Sequence, residues 1–134
     1  MKRTLSDNDL LRVQDAAAII EANLQQHLKI PELGEKVYLN SFKLKTGFKQ
    51  VYGVGPYTYL QHMRMEFAKQ MLREGATLRH IAVSIGFRGA QAESNFIKAF
   101  KKYEKIPPGL WRQVHVQQKA VSLYPVYKVD ISNN

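Results

Sequence analysis

Cysteine is absent from the 134 residues of the chain. The protein can therefore form no disulfide, thiolate zinc site or cysteine nucleophile, and this composition is typical of a reducing compartment. Long apolar runs are absent as well, since none approaches the about 18 residues of a membrane-spanning helix. The first residues also lack the apolar segment of a signal peptide. We expect a cytoplasmic, unprocessed protein.

Motifs of catalysis and cofactor binding are missing too. Nothing matches a nucleophile elbow, a Walker-type phosphate loop or a dinucleotide-binding fingerprint. Residues 53–55 are rich in glycine but precede a proline, which indicates a turn between helices. The histidines lack the spacing of metal ligands: His27, His62, His80 and His115. The sequence predicts a protein that is not an enzyme and has no metal or cofactor.

Acidic residues are few relative to basic ones. The chain has 11 Asp and Glu but 20 Lys and Arg, which gives a net charge of +9. A basic excess favours polyanionic partners such as nucleic acid or an anionic membrane surface. A hydrophobic content of 45% at this length is enough for one compact domain with its own core. Charge alone leaves the class of partner open.

Apolar residues recur at helical spacing through most of the chain. Ser6 and Asn40 are suited to cap helices, and Gly75 to end one. Helices are predicted from residue 6 to about 24, at 31–37, 41–51, 56–74 and 78–85, and in a longer segment ending near 103. The buried face predicted for the helix at 56–74 consists of Tyr59, Leu60, Met63, Phe67, Met71 and Leu72.

An internal repeat organises these helices. Residues 48–56 match residues 100–108 at an offset of 52 residues, which also places Trp111 opposite Tyr59. Each copy has the order short helix, turn, second helix, then a turn with proline. This is the order of a helix-turn-helix unit with a following brace.

The two copies differ in length at one place. Residues 33–34 pair with residues 81–82 at an offset of only 48, so the second copy has about four extra residues, which lie within 88–93. The helix at 56–75 joins the copies, and its about 19 residues give a length of ~28 Å, near the ~34 Å between successive major-groove faces. This spacing favours one chain reading two adjacent grooves of a duplex.

The N-terminal part of the second helix enters the major groove in a helix-turn-helix unit. Its exposed positions in the first copy are predicted to contact bases: Ser41, Phe42, Lys45 and Thr46. An aromatic ring can contact a thymine methyl group, and a lysine can donate to guanine. The alternative for Phe42 is an extra core residue. Asn40, Lys43 and Lys49 are predicted to contact backbone phosphates.

In the second copy, base contacts are predicted for Ser94, Asn95 and Lys98, with Glu93 as a further groove-facing position. The alternative for each is an ordinary solvated position. Backbone contacts are predicted for Arg88, Gln91 and Lys101. Three further basic residues are interpreted as solvated charges: Lys102, Lys105 and Arg112. For Arg112 the alternative is that it pairs with a helix end.

Many positions between about residues 10 and 112 match one family in order. They are Ile30, Leu33, Gly34, Leu39, Asn40, Leu44, Phe48, Lys49, Gly53, Pro56, Tyr59, Leu60, Arg64, Ala68, Leu72, Ile81, Ala82, Gly86, Phe87, Asn95, Phe96, Phe100, Lys101, Lys102, Pro108 and Arg112. This pattern resembles the DNA-binding domain of AraC/XylS-type transcription regulators.

The resemblance implies an all-α fold of about seven helices. A first helix-turn-helix subdomain at 6–55 and a second at 76–112 would be joined by a linker helix at 56–75. It also implies sequence-specific binding of double-stranded DNA, activation through RNA polymerase and a nucleoid-associated location. Family members usually have a separate effector-sensing or dimerisation domain, so we expect either a fragment or a stand-alone member. The rival class is a basic helical protein-interaction module, and the third is a binder of double-stranded RNA.

The sequence departs from the family pattern in four places. The family usually has a small residue such as alanine where Gly34 stands, serine where Asn40 stands, and glycine where Lys105 stands. The stretch after Phe87 is about three residues longer, so the second copy is expected to be the weaker base reader. Residues 113–134 form a tail outside the pattern, expected to be a short strand or a flexible end.

Overall fold

The computed structural model describes residues 5–123, and the side chains of residues 5–116. In this part of the chain there are seven helices and no strand: α1 (Asp7–Ala22), α2 (Ile30–Val37), α3 (Ser41–Tyr52), α4 (Pro56–Arg73), α5 (Leu78–Ser84), α6 (Ala92–Glu104) and α7 (Pro108–Leu123). The predicted all-helical fold is confirmed. The chain forms two compact units, the first up to Phe67 with Ser84–Gly86 and the second of Ala68–Val83 with the chain from Phe87 onward.

Helix ends follow the capping chemistry of the sequence. Ser6 and Asp9 form a capping box, in which Asp9 N–H donates to Ser6 Oγ at 3.0 Å and Ser6 N–H donates to Asp9 Oδ2 at 3.1 Å. At the end of α4, Gly75 adopts a φ of +88° and its N–H donates to Leu72 O, while Ala76 N–H donates to Met71 O. This paired return is a Schellman motif, and it confirms Gly75 as the stop.

The first unit packs α1, α2 and α3 around Leu44 and Phe48, both fully buried. The ring of Tyr59, from α4, meets Phe48 edge-on with centroids 5.5 Å apart. The Tyr59 hydroxyl donates to the Glu21 carboxylate, and burial raises the pKa of Tyr59 with Glu21 adding to the effect. This contact ties the start of α4 to α1.

The second unit repeats the aromatic contact. The ring of Trp111, from α7, meets the fully buried Phe100 edge-on with centroids 6.1 Å apart and planes 80° apart. Phe100 and Trp111 are the counterparts of Phe48 and Tyr59 in the sequence repeat. The repeat therefore reflects a shared way of packing the brace helix against the second helix of each unit.

Each unit also uses an arginine to satisfy the carbonyl groups at a helix end. Arg64 donates to Leu24 O at 2.7 Å and to Gln26 O at 3.0 Å, after the end of α1. Arg112 donates to Leu72 O in the last turn of α4 and to Ala76 O just after its end. The helix-end interpretation of Arg112 is confirmed. The last carbonyl groups of a helix receive no N–H from a following turn of that helix, so a cation near them is favourable.

The predicted buried face of α4 is wrong in one respect. Phe67 is 42% exposed, whereas Met65, absent from the prediction, is fully buried. The physical reason is that α4 contributes to two cores and changes its buried side along its length. The buried positions run from Pro56, Tyr59 and Leu60 to Met65, Ala68 and Leu72. A single apolar stripe cannot describe both halves.

The predicted tail begins inside a helix. Residues 113–123 continue α7, and residues 124–134 lie outside the described residues. No proline and no glycine follows Gly109 within α7, so nothing stops the helix at residue 112. For residues 113–123 the expectation of a strand or a flexible end is therefore wrong.

Candidate nucleic-acid interface

The first unit contains a tight turn between α2 and α3. Leu39 N–H donates to Gly34 O at 2.9 Å, and Tyr38 adopts a left-handed φ of 62°. A Cβ atom added to Gly34 would overlap the carbonyl oxygen of Leu39. The alanine typical of the family therefore does not fit here without a shift.

The second copy of the sequence repeat has the corresponding turn after α5. Phe87 N–H donates to Ala82 O at 3.0 Å, and Gly86 adopts a positive φ of +107°. Ala82 and Gly86 are the counterparts of Gly34 and Tyr38 at the 48-residue offset. Both copies of the repeat thus place a left-handed residue in the turn between two helices, which is the geometry of a helix-turn-helix.

Helix α3 presents one exposed face opposite its buried residues Leu44 and Phe48. Four of the predicted contact residues share this face at spacings of three and four, and of these Thr46 is half-buried: Phe42, Lys45, Thr46 and Lys49. Phe42 is 47% exposed, so the alternative of a core position is wrong. An exposed ring beside two exposed lysines is a suitable surface for the edges of bases and for phosphates.

The other predicted residues of the first unit lie on the flanks of α3. Asn40 caps the helix, because its Oδ1 accepts from Lys43 N–H at 2.8 Å. The Lys43 ammonium pairs with Asp9 Oδ2 at 3.3 Å. Ser41 lies on the opposite flank, where it lines a shallow surface with Lys45 and Tyr57.

Asp9, from α1, is the acidic partner of Lys43 on this flank of α3. Its carboxylate accepts the Ser6 backbone N–H and pairs with Lys43, and these interactions hold the pKa of Asp9 below its ordinary value. Lys43 is therefore oriented by α1 as well as by its own helix.

Tyr57 is a candidate contact that the sequence analysis missed. Its ring is 56% exposed at the start of α4, and its hydroxyl donates to Leu28 O at 3.3 Å. It lines the same shallow surface as Ser41 and Lys45. The sequence feature that could have identified it is an aromatic residue directly after Pro56 that lies outside the predicted buried face of the helix at 56–74.

Helix α6 presents the corresponding face of the second unit. Phe96 and Phe100 are buried, and Asn95, Lys98 and Lys101 are exposed. Helix α6 begins at Ala92, so Gln91 is its N-cap, although the Gln91 side chain caps no backbone N–H. Further residues differ in exposure: Ser94 and Glu93 are half-buried, whereas Arg88 and Gln91 are exposed.

The start of α6 differs from the start of α3 because of the extra residues. Gly89 adopts a φ of +81°, and Ala92 N–H donates to its carbonyl oxygen. The Ser94 hydroxyl lies 2.9 Å from Gln91 Oε1 and donates within the turn. Two of the predicted contact residues, Gln91 and Ser94, are therefore engaged with each other.

Within the described part of the chain, no group of three or more histidine or acidic side chains could hold a metal ion. None of the described helices is long and apolar enough to cross a membrane.

A family model described as a helix-turn-helix domain matches residues 33–114, which include both turns and both exposed helix faces. The chain belongs to the AraC-type helix-turn-helix family. Members of this family are DNA-binding transcription regulators. Solved AraC-type domains share the fold: a regulator from Chromobacterium violaceum superposes with a TM-score of 0.70 at 22% identity, over 81% of this chain and 95% of that one.

Other relatives agree with this family. The C-terminal domain of the response regulator yesN from Fusobacterium nucleatum has a TM-score of 0.63 at 33% identity, over 74% of this chain and 95% of that one. The Bacillus subtilis HTH-type regulators YtdP and YobQ are each 31% identical, over 71% and 76% of this AraC-type chain. The chain spans 12% and 42% of their respective lengths.

Proposed function

We propose that the chain binds double-stranded DNA sequence-specifically and regulates transcription, with α3 and α6 in adjacent major grooves. The observation that supports this most directly is the exposed face of α3, where Phe42, Lys45, Thr46 and Lys49 follow a helix-turn-helix turn. A net charge of +9 supplies the long-range attraction to a polyanion. One similar solved structure is the DNA-binding domain of AdpA with a target DNA, at a TM-score of 0.70.

Base reading is assigned to the first two turns of each second helix. In the first unit the base-contacting residues are Ser41, Phe42, Lys45 and Thr46, and in the second they are Ser94, Asn95 and Lys98. Lysine can donate to guanine O6 and N7, and asparagine can pair with the edge of adenine. The first unit is assigned the greater share of base reading, because Ser94 of the second unit is hydrogen-bonded to Gln91.

Phosphate contacts are assigned to residues beside these positions: Asn40, Lys43, Lys49, Arg88, Gln91 and Lys101. Contacts of this kind fix the register of a protein on the duplex without reading sequence. Asn40 keeps its amide hydrogens available, since its Oδ1 alone caps α3. RNA polymerase is the protein partner that we assign to the regulatory step. We assign the chain to the cytoplasm, in association with the nucleoid.

The test is a mobility-shift titration of the chain with duplex DNA and with duplex RNA, followed by selection from a random DNA pool. We expect binding to DNA, a steep linear fall of log affinity with log salt, and two selected half-sites about one helical turn apart. A flat salt response, or equal binding to duplex RNA, contradicts the proposal. A single selected half-site contradicts the assignment of α6 to an adjacent groove.

A further inference from the structure

The exposed face of α6 carries a row of lysines that begins at the last base-reading position, Lys98, and continues toward the C-terminal end of the helix. Lys98, Lys101, Lys102 and Lys105 are all exposed and line one shallow surface. Their spacing of three, four and seven residues places them on the side of the helix opposite Phe96 and Phe100. No carboxylate of the described residues pairs with any of them. We call these four residues the lysine row.

The sequence repeat supplies an internal comparison for this surface. At the same positions the first unit has Thr46, Lys49, Gln50 and Gly53, and so has one cation where the second unit has four. The backbone is the same at both helix ends. Gly53 N–H donates to Lys49 O and Lys105 N–H to Lys101 O, with left-handed φ values of 80° and 75°. The difference between the two units here is one of charge.

Lys105 stands in a backbone conformation that favours glycine. A left-handed φ of 75° is strained for a residue with a Cβ atom, and glycine adopts it freely in the counterpart Gly53. The Lys105 ammonium lies 3.3 Å from Lys102 O, so part of the row is held against the helix end. A strained non-glycine residue at an exposed site is a reason to look for a function of its side chain. What lysine adds here is a cation at the end of the row.

We propose that the lysine row is a phosphate-binding surface, which holds the sugar-phosphate backbone of the duplex along α6, with Lys98 at its base-facing end. This inference rests on the proposed function and deepens it, because it gives the second unit a sequence-independent role. From Lys98 to Lys105 the helix rises ~10 Å, which corresponds to about three phosphates along one strand. Lys102 and Lys105, which the sequence analysis interpreted as solvated charge, thereby become DNA contacts.

The decisive variant gives the second unit the residues of the first, as Lys102→Gln with Lys105→Gly. Fluorescence anisotropy with labelled duplex DNA is measured over a series of salt concentrations. Loss of two phosphate contacts is expected to reduce the salt slope of log affinity by about 1.8. Affinity at physiological salt is expected to fall on the order of tenfold, by the same factor for a selected site and for a scrambled duplex.

Two controls separate charge from structure. The variant Lys102→Arg with Lys105→Arg keeps the charge and the side-chain length, and is expected to keep the salt slope. Tyr38→Gly likewise replaces a left-handed non-glycine residue by glycine, without changing charge, and is also expected to keep the salt slope. Lys105→Gly is expected to raise the thermal midpoint while weakening binding, a combination that a purely structural lysine cannot give.

The outcomes distinguish the two proposals. If the unaltered chain binds duplex DNA with steep salt dependence and the Gln/Gly variant keeps that slope, the lysine row is not a phosphate site and only this inference fails. If the unaltered chain shows no salt-dependent binding, the proposed function itself fails. If the slope is kept but the variant no longer binds RNA polymerase, the row contacts an acidic protein surface and the inference is overturned.

Discussion

Gly34 and Leu39 approach each other so closely across the turn of the first unit that no side chain fits between them. The Leu39 N–H donates to Gly34 O at 2.9 Å, and the Leu39 carbonyl oxygen occupies the space that a Cβ atom on residue 34 would need. Helix propensity alone would make alanine better than glycine in α2 by about 1 kcal/mol. Steric overlap with a backbone atom opposes this, because the turn has to shift.

We therefore expect Gly34→Ala to lower the free energy of unfolding by about 1–3 kcal/mol. Denaturant unfolding measures the change. Gly109→Ala is the matched control, since Gly109 is also within a helix and a Cβ atom there meets nothing within 4 Å. That variant is expected to be slightly more stable than the original chain. Equal stabilisation by both exchanges would show that the turn relaxes without cost.

Tyr38 and Lys105, the two left-handed non-glycine residues within residues 5–123, allow a second prediction about stability. Lys105→Gly is expected to raise the free energy of unfolding by about 1 kcal/mol, because glycine removes the strain of a positive φ. Tyr38→Gly is expected to gain less. The Tyr38 ring lies 5.1 Å from the Arg12 guanidinium carbon, and glycine loses this contact, worth about 0.5–1 kcal/mol at an exposed site.

Thermal unfolding of both variants, monitored by circular dichroism, gives the comparison. The order expected is Lys105→Gly above Tyr38→Gly. Introducing Tyr38→Gly into a chain that already has Arg12→Met tests the reason for the difference. In that background the gain at position 38 is expected to approach the gain at position 105. If the gain at position 38 stays smaller in that background, the Arg12 contact is not the reason that Tyr38→Gly gains less stability than Lys105→Gly.

Local chemistry explains why much of the fold could be predicted from the sequence. Ser6, Asn40 and Gly75 act within four or five residues of their own position, so a capping oxygen or a positive φ can be inferred without knowing the fold. The repeat added longer-range information. It paired Tyr59 with Trp111, and each of these rings does pack edge-on against the phenylalanine of its own unit.

The features that could not be predicted depend on contacts between distant segments. Nothing near Lys43 in the sequence indicates that its partner is Asp9, because the pairing arises only when α1 packs beside α3. Phe67 was predicted to be buried and is exposed for a related reason. Helix α4 contributes to two cores, whereas an analysis of apolar periodicity assumes a single buried face. The base-contact and phosphate-contact assignments remain predictions, because they concern a partner that only a binding experiment brings in.

The pairing of Asp9 leads to a pH-dependent prediction. Its pKa in the folded chain is lowered from the ordinary value of 3.8, chiefly by the Ser6 backbone N–H and further by Lys43. A lowered pKa means that the folded state favours the carboxylate. The stabilisation is therefore fully present above pH 3.8 and is lost as the pH falls through the lower folded value.

We expect Asp9→Asn to be less stable than the original chain at neutral pH, with a difference that shrinks as the solution is acidified below pH 3.8. Thermal midpoints of both proteins across this range measure the difference. Asp15→Asn, an exposed exchange on the same helix, corrects for the change in net charge. A difference between Asp9→Asn and the original chain that is independent of pH would mean that the capping geometry, rather than the charge, stabilises α1.

Lys45 and Lys49 lie on the same face of α3, one turn apart, and the proposed function gives them different tasks. Lys45 lies in the second turn of the helix, where side chains reach base edges, and Lys49 lies near the C-terminal end, where phosphates are closer. Replacing Lys45 by alanine is expected to cost about 1–3 kcal/mol on the selected site and to relax the preference at one base pair. Replacing Lys49 by alanine is expected to weaken all sequences alike.

Both variants remove one positive charge from one helix face, so each is the control for the other. Affinities for the selected duplex and for a set of single-base-pair variants are measured at one salt concentration. The salt slope is then measured for the selected duplex. Lys49→Ala should reduce that slope by about 0.9 and leave the ranking of sequences unchanged, whereas Lys45→Ala should change the ranking. If both variants preserve the ranking, the two lysines contact only the backbone. Base reading by the first unit would then rest on Ser41, Phe42 and Thr46.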